Sequence, residues 1–356
     1  MNAVTQKQTI TSARPRFSGA DWAGLSVLVF FLVIGLTWSK WLPYWDRAWT
    51  LHETAAWDGD SLFDSWGETV SLAGAWNFTL VYFDAVWKAL LVALVVAAAI
   101  DALVRREWLV RVMNRPTAVK QSVVGASLSM PSMMCTCCAA PVTAGLRRSG
   151  VSTGAALAYW VGNPLLNPAV LVFLALVLPW PYVATRVVMG IVVAVGASAL
   201  IGRWLGGRTD TVPRPSSPQP QLGALPARFI RSLSRYVLVL VPEHLVMVFL
   251  MGLLGPWLTG VFGLEASIGG LAVLIAAVVG TVLVIPTGGE IPIIAGLLAA
   301  GAGAGTTGAL LVALPALSIP SIVMVGKSLG WRATTAMTIT VTIAGVLGGG
   351  LLAVLF

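Results

Sequence analysis

Met130-Pro131-Ser132-Met133-Met134-Cys135-Thr136-Cys137-Cys138-Ala139-Ala140-Pro141 interrupts an otherwise apolar chain and decides how it is read. All three cysteines and three of the ten methionines fall within these residues. Between Lys120 and Arg147 the two prolines leave two arms of about 14 residues, each reaching about 21 Å as a helix. A hydrocarbon core is about 30 Å thick, so neither arm spans it. The segment is therefore expected to be a re-entrant hairpin with both ends on one side. Irregular backbone at that depth is tolerated only inside protein or along a wet cavity.

The surrounding composition sets the environment. Of 356 residues, 57% are hydrophobic and 10% charged, with a mean hydropathy of +0.87. A soluble domain carries about 25% charged residues, so this composition points to an integral membrane protein. The net charge of +8 reflects basic residues gathered in particular loops, as the positive-inside rule describes, and not a nucleic-acid surface. No cleavable signal peptide is evident, and the first apolar run is expected to stay as an anchor.

Outward from the hairpin, the expected fold class is an all-α polytopic membrane protein with about seven full spans and two hairpins. Residues 1–75 hold a basic tail, a first helix from about Ala23 to Leu42, and an acidic outside loop with Asp46, Glu53, Asp58, Asp60, Asp64 and Glu68. Residues 76–205 form a first half. Within it lie the hairpin and a helix broken at Asn163-Pro164-Leu165-Leu166-Asn167-Pro168. Residues 206–228, rich in Pro, Ser and Gly, read as a cytoplasmic linker. Residues 229–356 repeat the arrangement upside down. Their hairpin tip is Pro286-Thr287-Gly288-Gly289-Glu290-Ile291-Pro292, the stretch Pro292-Ile293-Ile294-Ala295-Gly296-Leu297 weakly repeats the cysteine segment of the first half, and their break is Pro315-Ala316-Leu317-Ser318-Ile319-Pro320. This placement puts 18 of the 22 Lys and Arg residues on the cytoplasmic side, with the N-terminus in and the C-terminus out. Inverted repeats of this kind place a substrate site near the midplane.

Cys135, Cys137 and Cys138, with Met134 beside them, offer sulfur donors that prefer Cu(I), Zn(II) and other thiophilic species, including trivalent arsenic. Ordinary burial of Cys and Met is the competing account. Asn163, Asn167 and Ser318 flank the helix breaks, where proline frees backbone carbonyls as substrate ligands; kinked packing with interhelical hydrogen bonds is the alternative. Charges within apolar segments mark ion paths or proton relays. Glu290, Glu243 and Asp84 are the candidates for proton coupling, with Asp84 and Lys88 spaced to pair on one helical face. His244 follows Glu243. Arg147, Arg148 and Lys327 read as topology signals. No phosphate-binding loop and no nucleophile–base constellation is present, which argues against an enzyme.

Cys135-Thr136-Cys137-Cys138-Ala139-Ala140-Pro141-Val142, followed by Gly145-Leu146-Arg147-Arg148-Ser149-Gly150 and Gly154-Ala155-Ala156-Leu157, resembles the ArsP-type predicted permease family. Gly289-Glu290-Ile291-Pro292 and Pro315-Ala316-Leu317-Ser318-Ile319-Pro320 extend the resemblance to the second half, so that it covers about residues 75–356. It implies efflux of trivalent organoarsenicals, or of other heavy metals among relatives, across the cell (inner) membrane. The family's Cys-x-Cys pair falls on Cys135 and Cys137. Thr136 replaces the usual Ser, and Cys138 stands where Gly or Ala is commoner, adding a third thiol. The expected partners are the lipid bilayer and a small-molecule or metal(loid) substrate, with no cofactor and no nucleic acid; a homodimer is compatible with this reading. The alternatives are a permease for a sulfur-containing organic solute and a membrane thiol redox protein.

Overall fold

The computed structural model describes residues 19–54, 69–209, 222–262, 270–299 and 301–356. The basic tail, the acidic residues Asp58, Asp60, Asp64 and Glu68, and most of the expected linker lie outside the described residues. Everything described is helix or short connection. In chain order the helices are α1 (Gly19–Leu36), α2 (Leu42–Thr54), α3 (Leu72–Leu103), α4 (Arg106–Met113), α5 (Ala118–Ser129), α6 (Thr136–Arg148), α7 (Thr153–Leu165) and α8 (Pro168–Val177). They continue with α9 (Trp180–Ile191), α10 (Ser198–Thr209), α11 (Leu225–Phe262), α12 (Gly270–Val282), α13 (Glu290–Ala299), α14 (Ala304–Ala316), α15 (Ile319–Leu329) and α16 (Trp331–Leu355).

Six helical stretches are long and apolar enough to cross a membrane, and a seventh forms if α14 and α15, bent by 48°, count as one span. This makes the chain a polytopic membrane protein. Valines, leucines and isoleucines stand exposed on α1, α11 and α16, a surface suited to lipid and not to water. The expected first helix is too short: α1 and α2 are joined by a π turn over Thr37–Trp41 and stay helical to Thr54. The π turn comes directly before Pro43, so the missing proline N–H falls where the ladder is already interrupted. Asp46, Arg47 and Glu53 therefore sit on helix and not in a loop.

The broken helices form the centre. Every residue of α7 is buried, as is α14 from Gly305 to Ala316. Both end at a proline-containing break, and α8 and α15 each resume with proline in their first turn. Proline is tolerated there because that N–H has no helical partner anyway. Short helices pack on each core helix: α5 on α7, and α12 on α14. The arms α5, α6, α12 and α13 have 12, 13, 13 and 10 residues, which at 1.5 Å per residue is about 15–20 Å of rise.

Small residues permit this approach, as in other membrane helix pairs. A Cβ on Gly125 of α5 would lie 2.2 Å from the Ala155 carbonyl oxygen of α7, which is backbone and cannot step aside. Gly125→Ala is expected to cost about 1–3 kcal/mol through overpacking. Gly196, with nothing within 4 Å of its added Cβ, is the control site. Thermal denaturation of the detergent-solubilised protein checks this, and equal midpoints for Gly125→Ala and Gly196→Ala would refute the tight α5–α7 contact.

Candidate functional site

The first tip begins where Pro131 turns the end of α5 into a 3-10 turn over Met130–Ser132. Met133 then adopts a left-handed conformation at φ 48°, a rare state for a side-chain-bearing residue that neighbours must hold in place. Asn163 supplies that hold. Its Oδ1 accepts a short hydrogen bond from the Ser132 hydroxyl and a 3.3 Å bond from the Met134 N–H. Its Nδ2 donates to the Tyr159 carbonyl at 2.8 Å. Asn163 thus spends its polar groups on positioning the turn. Asn167 accepts from the N–H groups of Ala169 and Val170 and caps α8.

Held this way, Cys135 becomes the N-cap of α6 in an extended conformation, and the helix starts at Thr136. One turn brings Cys135 and Cys138 onto the same face, with their sulfurs 3.0 Å apart. Cys137 lies beside Cys135 as well and has further partners. Its sulfur lies 3.1 Å from the Ser318 hydroxyl and accepts a 3.7 Å bond from the Tyr82 hydroxyl. Thr136 also meets Ser318, at 3.3 Å. All three thiols are free and buried, and Met134 is buried beside them while Met130 is exposed. Among the described residues, no group of three or more His, Cys, Asp and Glu side chains is placed to hold a metal ion. The three thiols expected from the sequence thus lie side by side, Cys138 and Cys137 both against Cys135, with Cys137 also meeting Ser318.

Ser318 itself starts α15, and with Ser321 it forms a reciprocal cap on that helix. The first tip therefore meets the break of the other half. The second tip does the converse. Gly288, at φ 86°, lets the chain turn sharply before Glu290 opens α13. Glu290 accepts a 3.0 Å charge-assisted bond from Arg186, and both side chains are essentially inaccessible, at 1% and 0%. The same guanidinium donates to the carbonyls of Leu165 and Pro164 at 3.1 and 2.8 Å, and to that of Leu311. The α7 break leaves its last carbonyls without helical partners, and Arg186 satisfies two of them. The sequence reading offered such carbonyls as substrate ligands; at Pro164 and Leu165 they are taken.

Glu290 makes no hydrogen bond or ion pair with the cysteines, so the two tips do not share one cluster of side chains. Its second oxygen, Oε2, is buried without a partner. Glu243 pairs with Lys327 at 2.8 Å, giving that lysine a contact that the topology reading did not foresee. Asp84 and Lys88 are both exposed and do not pair; Lys88 lies over the rings of Trp38 and Trp87.

Three contributors, Arg186, Tyr82 and Lys40, were absent from the expected site, and His244 was named there only as the neighbour of Glu243. Arg186 reads as one more basic residue in an apolar helix, although its depth in that run was the available signal. Tyr82, fully buried, has no signature in sequence. His244 is buried against the Tyr82 ring, 5.9 Å between centroids, and neither ring nitrogen has a partner. Lys40, buried in the π turn, donates to the Tyr44 hydroxyl at 2.9 Å and to Thr287 in the second tip at 3.4 Å. Next to it, the Trp41 ring N–H donates to the Pro131 carbonyl at 2.9 Å. The first helix thus fastens both tips.

Apolar spans around a buried polar centre built from two broken helices define a multi-pass membrane protein. Known proteins make the class more specific. Residues 71–354 match the model of the family ArsP_1, described as predicted permease. The chain is 37% identical over 326 residues to UPF0718 protein YraQ of Escherichia coli (strain K12), covering 91% of this chain and 93% of that relative. The chain belongs to this family and is a membrane permease. No solved structure matches it. Lys40 and Trp41 precede the matched residues, so the family pattern does not include these two contacts.

Proposed function

We propose that this permease exports a thiophilic substrate, a trivalent organoarsenical or a soft metal species, with Cys135 and Cys138 as the first ligands. The observation that carries this reading is the pair of buried sulfurs 3.0 Å apart on one helical turn. Two thiols so close can chelate one soft atom. For a trivalent arsenical the step is redox-neutral. Each As–S bond replaces an As–O bond to hydroxide, and the thiol proton leaves with that hydroxide as water. Cys137 and Ser318 link the bound substrate to the break of the second half. In this reading α5–α6 and α12–α13 are re-entrant hairpins of an inverted repeat, and movement of one half exposes the thiols to either side in turn.

Glu290 is the best-supported proton-coupling residue, because its Oε2 is buried without a partner while Oε1 is held by Arg186. Glu243 is already paired with Lys327, and Asp84 is exposed. Everted vesicles loaded with the permease test the whole reading. A trivalent phenylarsenical, Zn(II), Cu(I) and free cysteine are offered in parallel under an imposed proton gradient. Gradient-dependent accumulation of the arsenical or a metal is expected. Accumulation of cysteine alone would select the sulfur-solute alternative, and transport of none would remove the proposal.

The orientation within this proposal is N-terminus inside and C-terminus outside, in the inner membrane. A fluorescent reporter that matures only in the cytoplasm, fused after Phe356, is expected to stay dark, while an alkaline phosphatase fusion there is expected to be active. The opposite pair of signals would invert the topology.

A further inference from the structure

At the end of the molecule opposite the acidic loop in the expected topology, the C-terminal end of α3, the start of α4, the end of α6 and α11 line a partly open cavity of about 170 Å³. That far exceeds the ~10–15 Å³ that a single water requires. Its wall carries Arg105, Arg106, Arg148 and Arg228 against Asp101 and Glu107, four positive charges and two negative. The carboxylates are already engaged: Asp101 accepts from the Ser232 hydroxyl at 2.9 Å, and Glu107 lies 3.5 Å from Arg105. Arg106 donates to the Ser149 carbonyl at 3.1 Å. Arg148 sits over the Tyr236 ring, its guanidinium carbon 4.7 Å from the ring centre. Its Nη1 is nevertheless buried with no hydrogen-bond partner.

A positive-inside signal explains basic residues at a membrane boundary, but solvated arginines would serve for that. It does not explain guanidinium groups gathered around a recessed, partly open cavity, one of them over an aromatic ring with an unsatisfied buried donor. Guanidinium forks match the oxygens of phosphate and carboxylate, and among common anions phosphate suits several forks at once. Basic pockets between membrane helices on this side bind phosphate-bearing lipid headgroups. We propose that this cavity is an anion site for a phosphate group, either the headgroup of an acidic lipid or a soluble phosphate, ordering the junction between α3, α4, α6 and α11. The proposal is independent of which substrate the thiols bind.

The test uses the full chain in a maltoside detergent free of phosphate. One arm titrates inorganic phosphate and follows the thermal midpoint. The other adds phosphatidylglycerol, with phosphatidylcholine as a comparison of equal phosphodiester content but no net charge, and counts retained lipid by native mass spectrometry. The expected result is saturable binding in at least one arm, weakened tenfold or more in the Arg148→Gln/Arg228→Gln protein. It is expected to be unchanged in Arg332→Gln, whose exposed arginine does not line the cavity. Binding in the first arm alone identifies a soluble phosphate, and in the second alone a lipid headgroup; both support the site. Arg148→Lys, which keeps the charge but loses the fork, is expected to fall between the two. Absence of saturable binding in the wild-type protein would overturn the proposal without reference to any variant. So would equal losses in Arg332→Gln and the double variant.

Discussion

Arg186→Leu, with Glu290 left in place, is expected to lower stability by about 3–5 kcal/mol, the usual consequence of removing one member of a buried ion pair. The guanidinium is fully inaccessible and serves Glu290 Oε1 together with the carbonyls of Pro164, Leu165 and Leu311. Without it a buried carboxylate and three carbonyls lose their shared donor. Replacing both charges, Arg186→Leu with Glu290→Leu, is expected to recover much of the loss, because the uncompensated charge disappears. Recovery should be incomplete, since the carbonyls of the α7 break stay without donors. Denaturation of the solubilised protein and its abundance in membranes give the order wild type, double variant, single variant. A single variant within 1 kcal/mol of wild type would mean that Glu290 finds another partner, and the pair would lose its place as the link between α13 and the α7 break.

The sequence showed where the chain breaks, because proline, glycine and clustered cysteine act locally. Pro131 and Pro164 interrupt helices for a reason contained within a few residues, and the structure has breaks at those places. The count of spans was legible for the same reason, since length and apolarity are properties of a single segment. The end of the first helix was not, because the π turn before Pro43 carries the helix past a residue that usually ends one. The partners across the centre were also hidden. Cys137 and Ser318 are 181 residues apart and Arg186 and Glu290 are 104 apart, and nothing local to either member names the other. Asn163 shows a third limit: its place at a break was plain, but a ligand and a clamp call for the same side chain. Only the bonds to Ser132 and Met134 distinguish them.

Cys135→Ala and Cys138→Ala are each expected to abolish export of a trivalent arsenical and to weaken its binding by about 10²–10⁴-fold, the gain a second linked contact contributes. Cys137→Ala is expected to abolish export while weakening binding less, because its sulfur, though beside Cys135, is also held by Ser318 and Tyr82, whereas Cys135 and Cys138 sit only 3.0 Å apart. This separation follows from the geometry and not from the Cys-x-Cys pattern, which would give Cys135 and Cys137 the same part. Each substitution removes one buried sulfur and leaves the backbone turn to Asn163, so abundance should stay near that of wild type. Titration of purified variants with a trivalent phenylarsenical, followed by tryptophan fluorescence, reads binding, and efflux from vesicles reads transport. If Cys137→Ala loses binding as severely as Cys135→Ala while Cys138→Ala keeps it, the ligands are Cys135 and Cys137, and the sulfur pair seen together is a resting contact that substrate must open. If all three variants bind and export as wild type, the cysteines are packing residues, and the substrate is recognised by groups other than sulfur.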